Sequence, residues 1–251
     1  MAGGSRPGAS LVARTIEVLR AFDEQHRRLT MSEIAERCGL PRPTALRILR
    51  QLEAAGAVER LPDGRYAVGR LLWNIGLLSP VQTGLREVAA PYLQDLQAAT
   101  RATVHLAQRE GSTALYLDRL AGRTAVPTVS RIGGRLPLHA TGVGKVLLAY
   151  APAGLQAEVL ATLPRLTPYT VVNPDVLRTQ LERVRRDGFA TTSEEMTLGA
   201  CSVAVPVADA AGHAIAALGV VVPSLRRDRP RLVAALQVAA AGIGREQRRR
   251  S

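Results

Sequence analysis

The sequence predicts an α+β chain in two parts: an N-terminal winged helix-turn-helix, then a larger domain of strands and helices on one main sheet. Three observations predict it. The first 70 residues carry the order helix, helix, glycine turn, helix, hairpin. From Arg86 onward, short β-branched runs alternate with helical periodicities. The chain has 251 residues, 47% of them apolar, enough for one to two domains with real cores.

Residues 1–9 are small and polar with Gly and Pro, and read as a frayed terminus. Leu11, Val12, Ile16, Leu19 and Phe22 then recur at helical spacing, with Ser10 as the cap. Thr30-Met31-Ser32-Glu33 is a capping box, in which the hydroxyl takes the N3 amide and the carboxylate reaches back. It opens a short helix through Cys38 that Gly39 ends. A third helix is expected from about Arg42 to Ala54, its apolar side formed by Ala45, Leu46, Leu49 and Leu52. Val58–Arg60 and Arg65–Val68 flank Asp63-Gly64, a strong two-residue hairpin signal. Gly69 to about Leu85 is an apolar, helix-like stretch interrupted near Pro80, suited to linking two domains with its greasy face against a partner chain. Domain limits follow as 10–70, a linker over 71–85, and 86–250.

The second part starts with an amphipathic helix, Val88 to Thr100. Strand-like runs follow at Thr103–Ala107, Ala114–Leu117 and Thr124–Val129. Helices are expected over Gly144–Tyr150 and near 152–162 and 174–187. Strands Cys201–Val207 and Ala214–Val222, joined at Asp209–Gly212, precede a last helix over about 228–247.

Charge narrows the function classes. The formal net charge is +12 and Lys145 is the only lysine, so almost all the positive charge is arginine. Guanidinium forks suit phosphates and guanine edges, although a genome rich in G and C favours arginine too. Eight aromatic residues are too few to stack successive single-stranded bases, which favours duplex DNA. No apolar run is long enough to span a bilayer, and the N-terminus lacks the apolar segment of a secretory signal. Two cysteines, Cys38 and Cys201, make neither a disulfide framework nor a zinc cluster, which suits a reducing cytoplasm.

Three constellations invite chemistry. On the third helix Arg42, Thr44, Arg47 and Arg50 point away from the apolar side, a face a major groove could receive. Thr30 and Ser32 at the preceding helix start suit phosphates, and Arg60 and Arg65 in the wing can reach a neighbouring backbone. The ordinary alternative is a solvated charged face, but cap, turn, spacing and wing all agree on DNA. Leu138 to Lys145 contains G-x-G-K, yet His139 and Val146 stand where a phosphate loop needs Gly and Ser or Thr. A glycine turn into a helix start can still offer amides to a small carboxylate; a purely structural joint is the equal alternative. Pairings of Ser130 with His139 or Cys201 with His213 permit a hydrolase to be drawn, and Glu194-Glu195 reads as a solvated pair. None sits in a nucleophile signature, and the four histidines are too scattered for a metal. The expectation is therefore no catalysis, no cofactor and no metal, with a DNA-anchored hydrolase-like domain as the alternative.

Taken from about Ser10 to Arg245, the chain resembles the isocitrate-lyase-regulator (IclR) family of bacterial transcription factors. The resemblance rests on SLVARTIEVLRAF, the 29–60 stretch, DGRYAVG, GGRLPLHATGVGKVLLA and, most particularly, GFATTSEEMTLGACSVAVPVADAAGHAIAALGVVVP. It implies a winged helix-turn-helix, a linker helix and an effector domain related to GAF folds with a central antiparallel sheet. It also implies a cytoplasmic repressor or activator, repressor being the expected sense, that binds operator DNA as a homodimer or homotetramer and responds to a small organic effector, with no membrane partner. Position by position, it places the effector at Gly142, Val143, Thr192, Ser202, Gly219 and Val221. Thr192 is neutral where family members are acidic, Ser202 can still donate, and Gly219 and Val221 cannot bond through side chains where some members have serine. That departure points to a larger or more apolar effector, aromatic or acyl.

Overall fold

Helices α1 (Leu11–Arg20), α2 (Met31–Cys38) and α3 (Arg42–Ala54) precede a short hairpin, β1 (Val58–Arg60) and β2 (Tyr66–Val68), and helix α4 (Arg70–Leu77). The computed structural model describes residues 10–23, 25–78, 84–122, 126, 128–226 and 228–250, so the expected frayed terminus lies outside it. The chain divides into two units, Met1–Ser79 and Pro80–Ser251.

In the first unit the capping box forms as expected: Thr30 Oγ1 accepts from the Glu33 amide and Glu33 Oε2 accepts from the Thr30 amide at 2.7 Å. Gly39 ends α2 at φ 62, a left-handed turn that glycine adopts freely. The three helices close over Val18, Ile34, Ala35, Ala45, Ile48 and Leu49. The apolar side of α3 differs from the expected one: Ile48 is in the core and Leu46 is only half-buried. Helical phase explains it, because Ala45, Ile48, Leu49 and Leu52 follow an i, i+3, i+4, i+7 stripe that Leu46 leaves. The wing pairs in the register Val58↔Val68, Glu59↔Ala67, Arg60↔Tyr66, and Gly64 turns at φ 79. Leu29 adds a third edge through a bridge to Tyr66, with hydrogen bonds of 3.0 and 2.7 Å. Helix α4 stops at Leu77, and residues 79–83, including the expected interruption at Pro80, lie outside the described residues.

The second unit begins with α5 (Leu85–Thr100), followed by β3 (Thr103–Glu110), β4 (Thr113–Leu120) and β5 (Arg135–Pro137). Helices α6 (Gly142–Ala149), α7 (Ala153–Ala161) and α8 (Pro174–Asp187) come next. Strands β6 (Ala190–Ser193), β7 (Cys201–Ala208) and β8 (Ala214–Val222) and the long helix α9 (Arg229–Arg250) complete it. The six strands form one antiparallel sheet in the order β5-β4-β3-β8-β7-β6. Alternation sorts its residues: Val104, Leu106, Val203, Val205, Leu218 and Val220 face α5 and α9. Ala107, Ala114, Tyr116, Ala204 and Ala217 face α6 and α8. Small residues on that second face let α6 lie close to the sheet.

The strand expected over Thr124–Val129 is not found at the described positions Val126, Thr128 and Val129, and residues 123–125 and 127 lie outside the described ones. The edge is instead Arg135–Pro137, which pairs with Thr113–Leu115. Edge strand β6, a run of Ala, Thr, Thr and Ser, is also additional to the expectation.

Candidate functional site

The first unit presents the basic face as the sequence suggests. Arg42, Arg47 and Arg50 are exposed on α3, and Thr44 is half-buried beside them. Ser32 is half-buried in the first turn of α2. Thr30 is committed locally: its hydroxyl donates to Glu33 Oε2 at 2.9 Å while serving as the cap. In the wing, Arg60 and Arg65 are exposed, and the Arg60 guanidinium lies 6.0 Å from the Tyr66 ring centre.

The second unit contains a cavity between the start of α6 and the centre of the sheet. Its enclosed volume is only about 50 Å³, below the usual range of small-molecule sites, and about 490 Å³ of empty space lies between its lining atoms when the open mouth is counted. All six effector positions expected from the sequence line it. Strand register brings them together: Thr192 pairs with Ser202 and Ser202 with Val221, while Ala204 pairs with Gly219 and Gly219 with His105. Thr192 Oγ1 and Ser202 Oγ share a hydrogen bond of 2.6 Å. Above them Thr141 caps α6 by accepting from the Gly144 amide at 3.1 Å. The Gly142 and Val143 amides belong to the first helical turn, which has no intrahelical partner, so they carry the positive end of the helix dipole. Gly142 is required by closeness: a Cβ there would stand 2.5 Å from Ser202 Oγ.

His105, Tyr116 and Ser130 also line the cavity; the sequence places none of them among the effector positions and names Ser130 only in the hydrolase pairing with His139. His105 Nε2 and Ser130 Oγ are 2.8 Å apart, and the His105 ring meets Tyr116 edge-on at 5.1 Å between centres. Burial, aided by the Arg119 charge, pushes the His105 pKa down to about 3, so the ring is neutral and a poor general base. Burial pushes the Tyr116 phenol up, offset in part by its hydrogen bond with Thr141. The serine–histidine pair therefore differs from the drawn Ser130–His139 pairing: His139 Nε2 bonds the Pro164 carbonyl at 3.0 Å instead. Cys201 begins β7, whereas the exposed His213 lies in the turn beyond its far end and faces Asp209. A lone histidine in an apolar strand gave no sign in sequence; only the alternation of Thr103, His105 and Ala107 could have placed it on the cavity face. Among the described residues, no cluster of His, Cys, Asp and Glu could hold a metal ion.

None of the described lining residues is a Lys, Arg, Asp or Glu. Of the charges nearby, Arg119 pairs with His105 in register and its Nη2 donates to the lining Thr128 hydroxyl at 3.2 Å, while Lys145 and Glu195 are paired behind the wall. Lys145, 1% exposed, donates to Glu195 Oε1 at 2.6 Å, to Glu195 Oε2 at 2.7 Å and to Gln180 Oε1 at 2.7 Å. Burial draws the ammonium's pKa below its ordinary value, while the Glu195 charge and hydrogen bonds oppose it. Glu195 is thus a correction to the solvated pair read from sequence, since i and i+1 in a loop can face opposite ways. Glu194 stays outside, where Oε2 accepts from the Gly199 amide at 2.8 Å. No helix among the described residues is long and apolar enough to cross a membrane.

The family model described as bacterial transcriptional regulator IclR C-terminal matches residues 79–245, and the IclR helix-turn-helix domain matches residues 11–62. The transcriptional regulator XynR of Escherichia coli K12 is 34% identical over 82% of this chain and 83% of its own length. The transcriptional repressor AllR of the same organism is 31% identical over 91% and 86%. Among solved structures, an IclR homologue from Microbacterium hydrocarbonoxydans in complex with 4-hydroxybenzoate is similar with a TM-score of 0.90 and 36% identity, covering 96% of this chain and 100% of that one. These relatives are named for control of transcription, and the helix-turn-helix, the six-stranded antiparallel sheet and the matches over both units agree. The chain belongs to the IclR family of transcriptional regulators, with a helix-turn-helix domain and a C-terminal effector-binding domain.

Proposed function

We propose that this protein is a repressor that binds a near-palindromic operator as a dimer or dimer of dimers, and that a small, rather apolar or aromatic organic acid modulates that affinity. Two copies of α3 about 34 Å apart would enter successive major grooves, with Arg42, Thr44, Arg47 and Arg50 toward the bases and Thr30, Ser32, Arg60 and Arg65 toward the backbone. The exposed apolar side chains Val12 on α1 and Trp73 and Ile75 on α4 support a second copy as their cover.

The observation that carries the ligand class is the cavity's lining: mostly apolar walls with scattered hydroxyls, no formal charge among the described lining residues, and one pole made of the Gly142 and Val143 amides beside the Thr192–Ser202 hydroxyls. Such a pole suits one carboxylate. A second carboxylate would meet only uncharged groups among the described lining residues, namely hydroxyls such as those of Ser130 and Tyr116, a neutral histidine and apolar side chains, and an amine would meet the wrong end of a helix dipole. The 4-hydroxybenzoate held by the Microbacterium homologue has this chemistry.

Ligand and DNA must change each other's affinity by the same factor, typically about 5–150-fold. The test is an anisotropy titration against the DNA upstream of the gene, at fixed near-physiological salt, with unrelated competitor DNA and with 4-hydroxybenzoate present or absent. A specific complex whose affinity shifts with the acid is expected. If Ser202→Ala and Val143→Arg both keep the wild-type shift, the acid does not act through this cavity. If no DNA fragment from a genomic pool is preferred, the regulator of a defined operator is refuted.

A further inference from the structure

We propose that Lys145 and Glu195 are positioning residues for the effector site: their buried ion pair sets the spacing between the helix end that offers amides to a carboxylate and the loop that forms the facing wall. The inference rests on the effector reading above. Lys145 sits in the first turns of α6, just beyond Gly142 and Val143. Glu195 sits in the loop between β6 and β7, whose Met196, Thr197 and Ala200 line the cavity while Glu195 itself does not. The pair thus joins two walls from behind and touches no ligand.

The loop is rigid in itself and clamped in place. Glu194 adopts a left-handed backbone, φ 56, its amide donates to the Ala200 carbonyl at 2.8 Å, and its carboxylate accepts from the Gly199 amide. Thr167 and Thr170 hydroxyls donate to the Glu194 and Glu195 carbonyls, both at 2.7 Å. A loop with its own closure moves as one piece, so its distance from α6 depends on what bridges the two. That bridge is the Lys145 ammonium, whose three protons are all taken, the third by Gln180 of α8.

Stability alone does not explain this arrangement. A well-packed apolar pair in place of a buried ion pair is often as stable or more so. Apolar contacts tolerate sliding, however, whereas short charge-assisted hydrogen bonds prescribe distance and direction. Amides that must meet a carboxylate at hydrogen-bond length need that precision. Because the two charges cancel within the pair, the cavity gains no charge of its own.

The test uses the full-length chain and the double variant Lys145→Met/Glu195→Leu, which leaves no buried charge unpaired. Thermal melting establishes folding, and calorimetry at 25 °C measures affinity for 4-hydroxybenzoate and for its uncharged amide, 4-hydroxybenzamide. The folded double variant is expected to lose roughly tenfold or more of the wild-type preference for the acid over the amide. A wild-type preference in the folded double variant, or an equal loss for both probes, overturns the positioning role and leaves only a structural one. If the double variant does not fold, Glu195→Gln keeps the shape; it should lose roughly threefold of the preference, and an unchanged preference refutes the proposal. Should the wild type bind neither probe, the effector reading falls first and this inference with it.

Discussion

Replacing Gly219 by Ala adds one methyl group at the floor of the cavity, and the structure says what that methyl meets. Its Cβ would lie 2.9 Å from Val143 Cγ1, 3.1 Å from Ala204 Cβ and 3.2 Å from the Val203 carbonyl. Carbon atoms prefer about 3.5–4.0 Å. Ala204 pairs with Gly219 in register, so it and the Val203 carbonyl are held by the sheet and cannot retreat. Val143 is β-branched on a helix, with one strongly favoured rotamer, so it cannot simply turn aside. The first turn of α6 must lift from the sheet. Overpacking of this kind costs about 1–3 kcal/mol, which for a unit of this size lowers the melting temperature by about 2–4 °C per kcal/mol. The same lift displaces the Val143 amide from the proposed carboxylate position. Affinity for 4-hydroxybenzoate should therefore fall about 5–150-fold if a similar energy is lost on binding. Calorimetry and a melting curve read both effects. Gly154→Ala is the internal control: nothing lies within 4 Å of its Cβ in the first turn of α7, so melting and affinity should stay at or slightly above the wild-type values. A Gly219→Ala protein with wild-type melting and affinity would show that α6 does not press on β8 as described.

Three further outcomes are expected. Arg47→Ala should weaken operator binding by about 1–3 kcal/mol and relax specificity at one position if Arg47 reads a base, or lower the salt slope by about one if it holds a phosphate; unchanged binding would remove α3 from the groove. Thr30→Ala removes the cap of α2 and should cost about 1 kcal/mol in urea unfolding; no change would mean that the Glu33 half of the box suffices. Asp23 should make stability fall in acid. Burial works against its carboxylate, but hydrogen bonds from the His26 ring and the Gln25 and His26 amides outweigh it and hold its pKa down to about 2, against an ordinary 3.8. A depressed acid contributes fully above its unfolded pKa and loses that contribution as pH falls through the folded one. Urea midpoints should thus drop between about pH 4 and pH 2 in the wild type and stay flatter in Asp23→Asn.

What could be read from the sequence was local. The capping box at Thr30 and Glu33 and the left-handed stop at Gly39 each arise from a few neighbouring residues and formed where the chain alone placed them. The hairpin turns at Asp63-Gly64 too, but through a three-residue loop, 62–64, with only Gly64 left-handed, rather than the expected two-residue turn. The order of helices and hairpin, and with it the exposed arginine face of α3, followed from that local chemistry. Helices α8 and α9 and strands β7 and β8 likewise declared themselves by period and by turn residues. The effector positions came from family resemblance, because nothing adjacent in sequence links Thr192 to Gly142 or Gly219.

Only the tertiary structure decided the rest. Strand register set the Thr192–Ser202 hydroxyl pair in the cavity and put the neutral His105 opposite Gly219, a choice made by pairing across the sheet. Edge strands β5 and β6 are too short to carry a period and exist because β4 and β7 offer them hydrogen-bond partners. In sequence the protein's only lysine stood in a G-x-G-K string that fails as a phosphate loop, and the distant Glu194-Glu195 read as a solvated pair. Packing of α6 against the sheet buried the lysine with Glu195, fifty residues away, because an ammonium taken out of water needs a counter-charge and the fold supplies one. Local chemistry chooses the elements; desolvation and register, which depend on distant partners, choose the site.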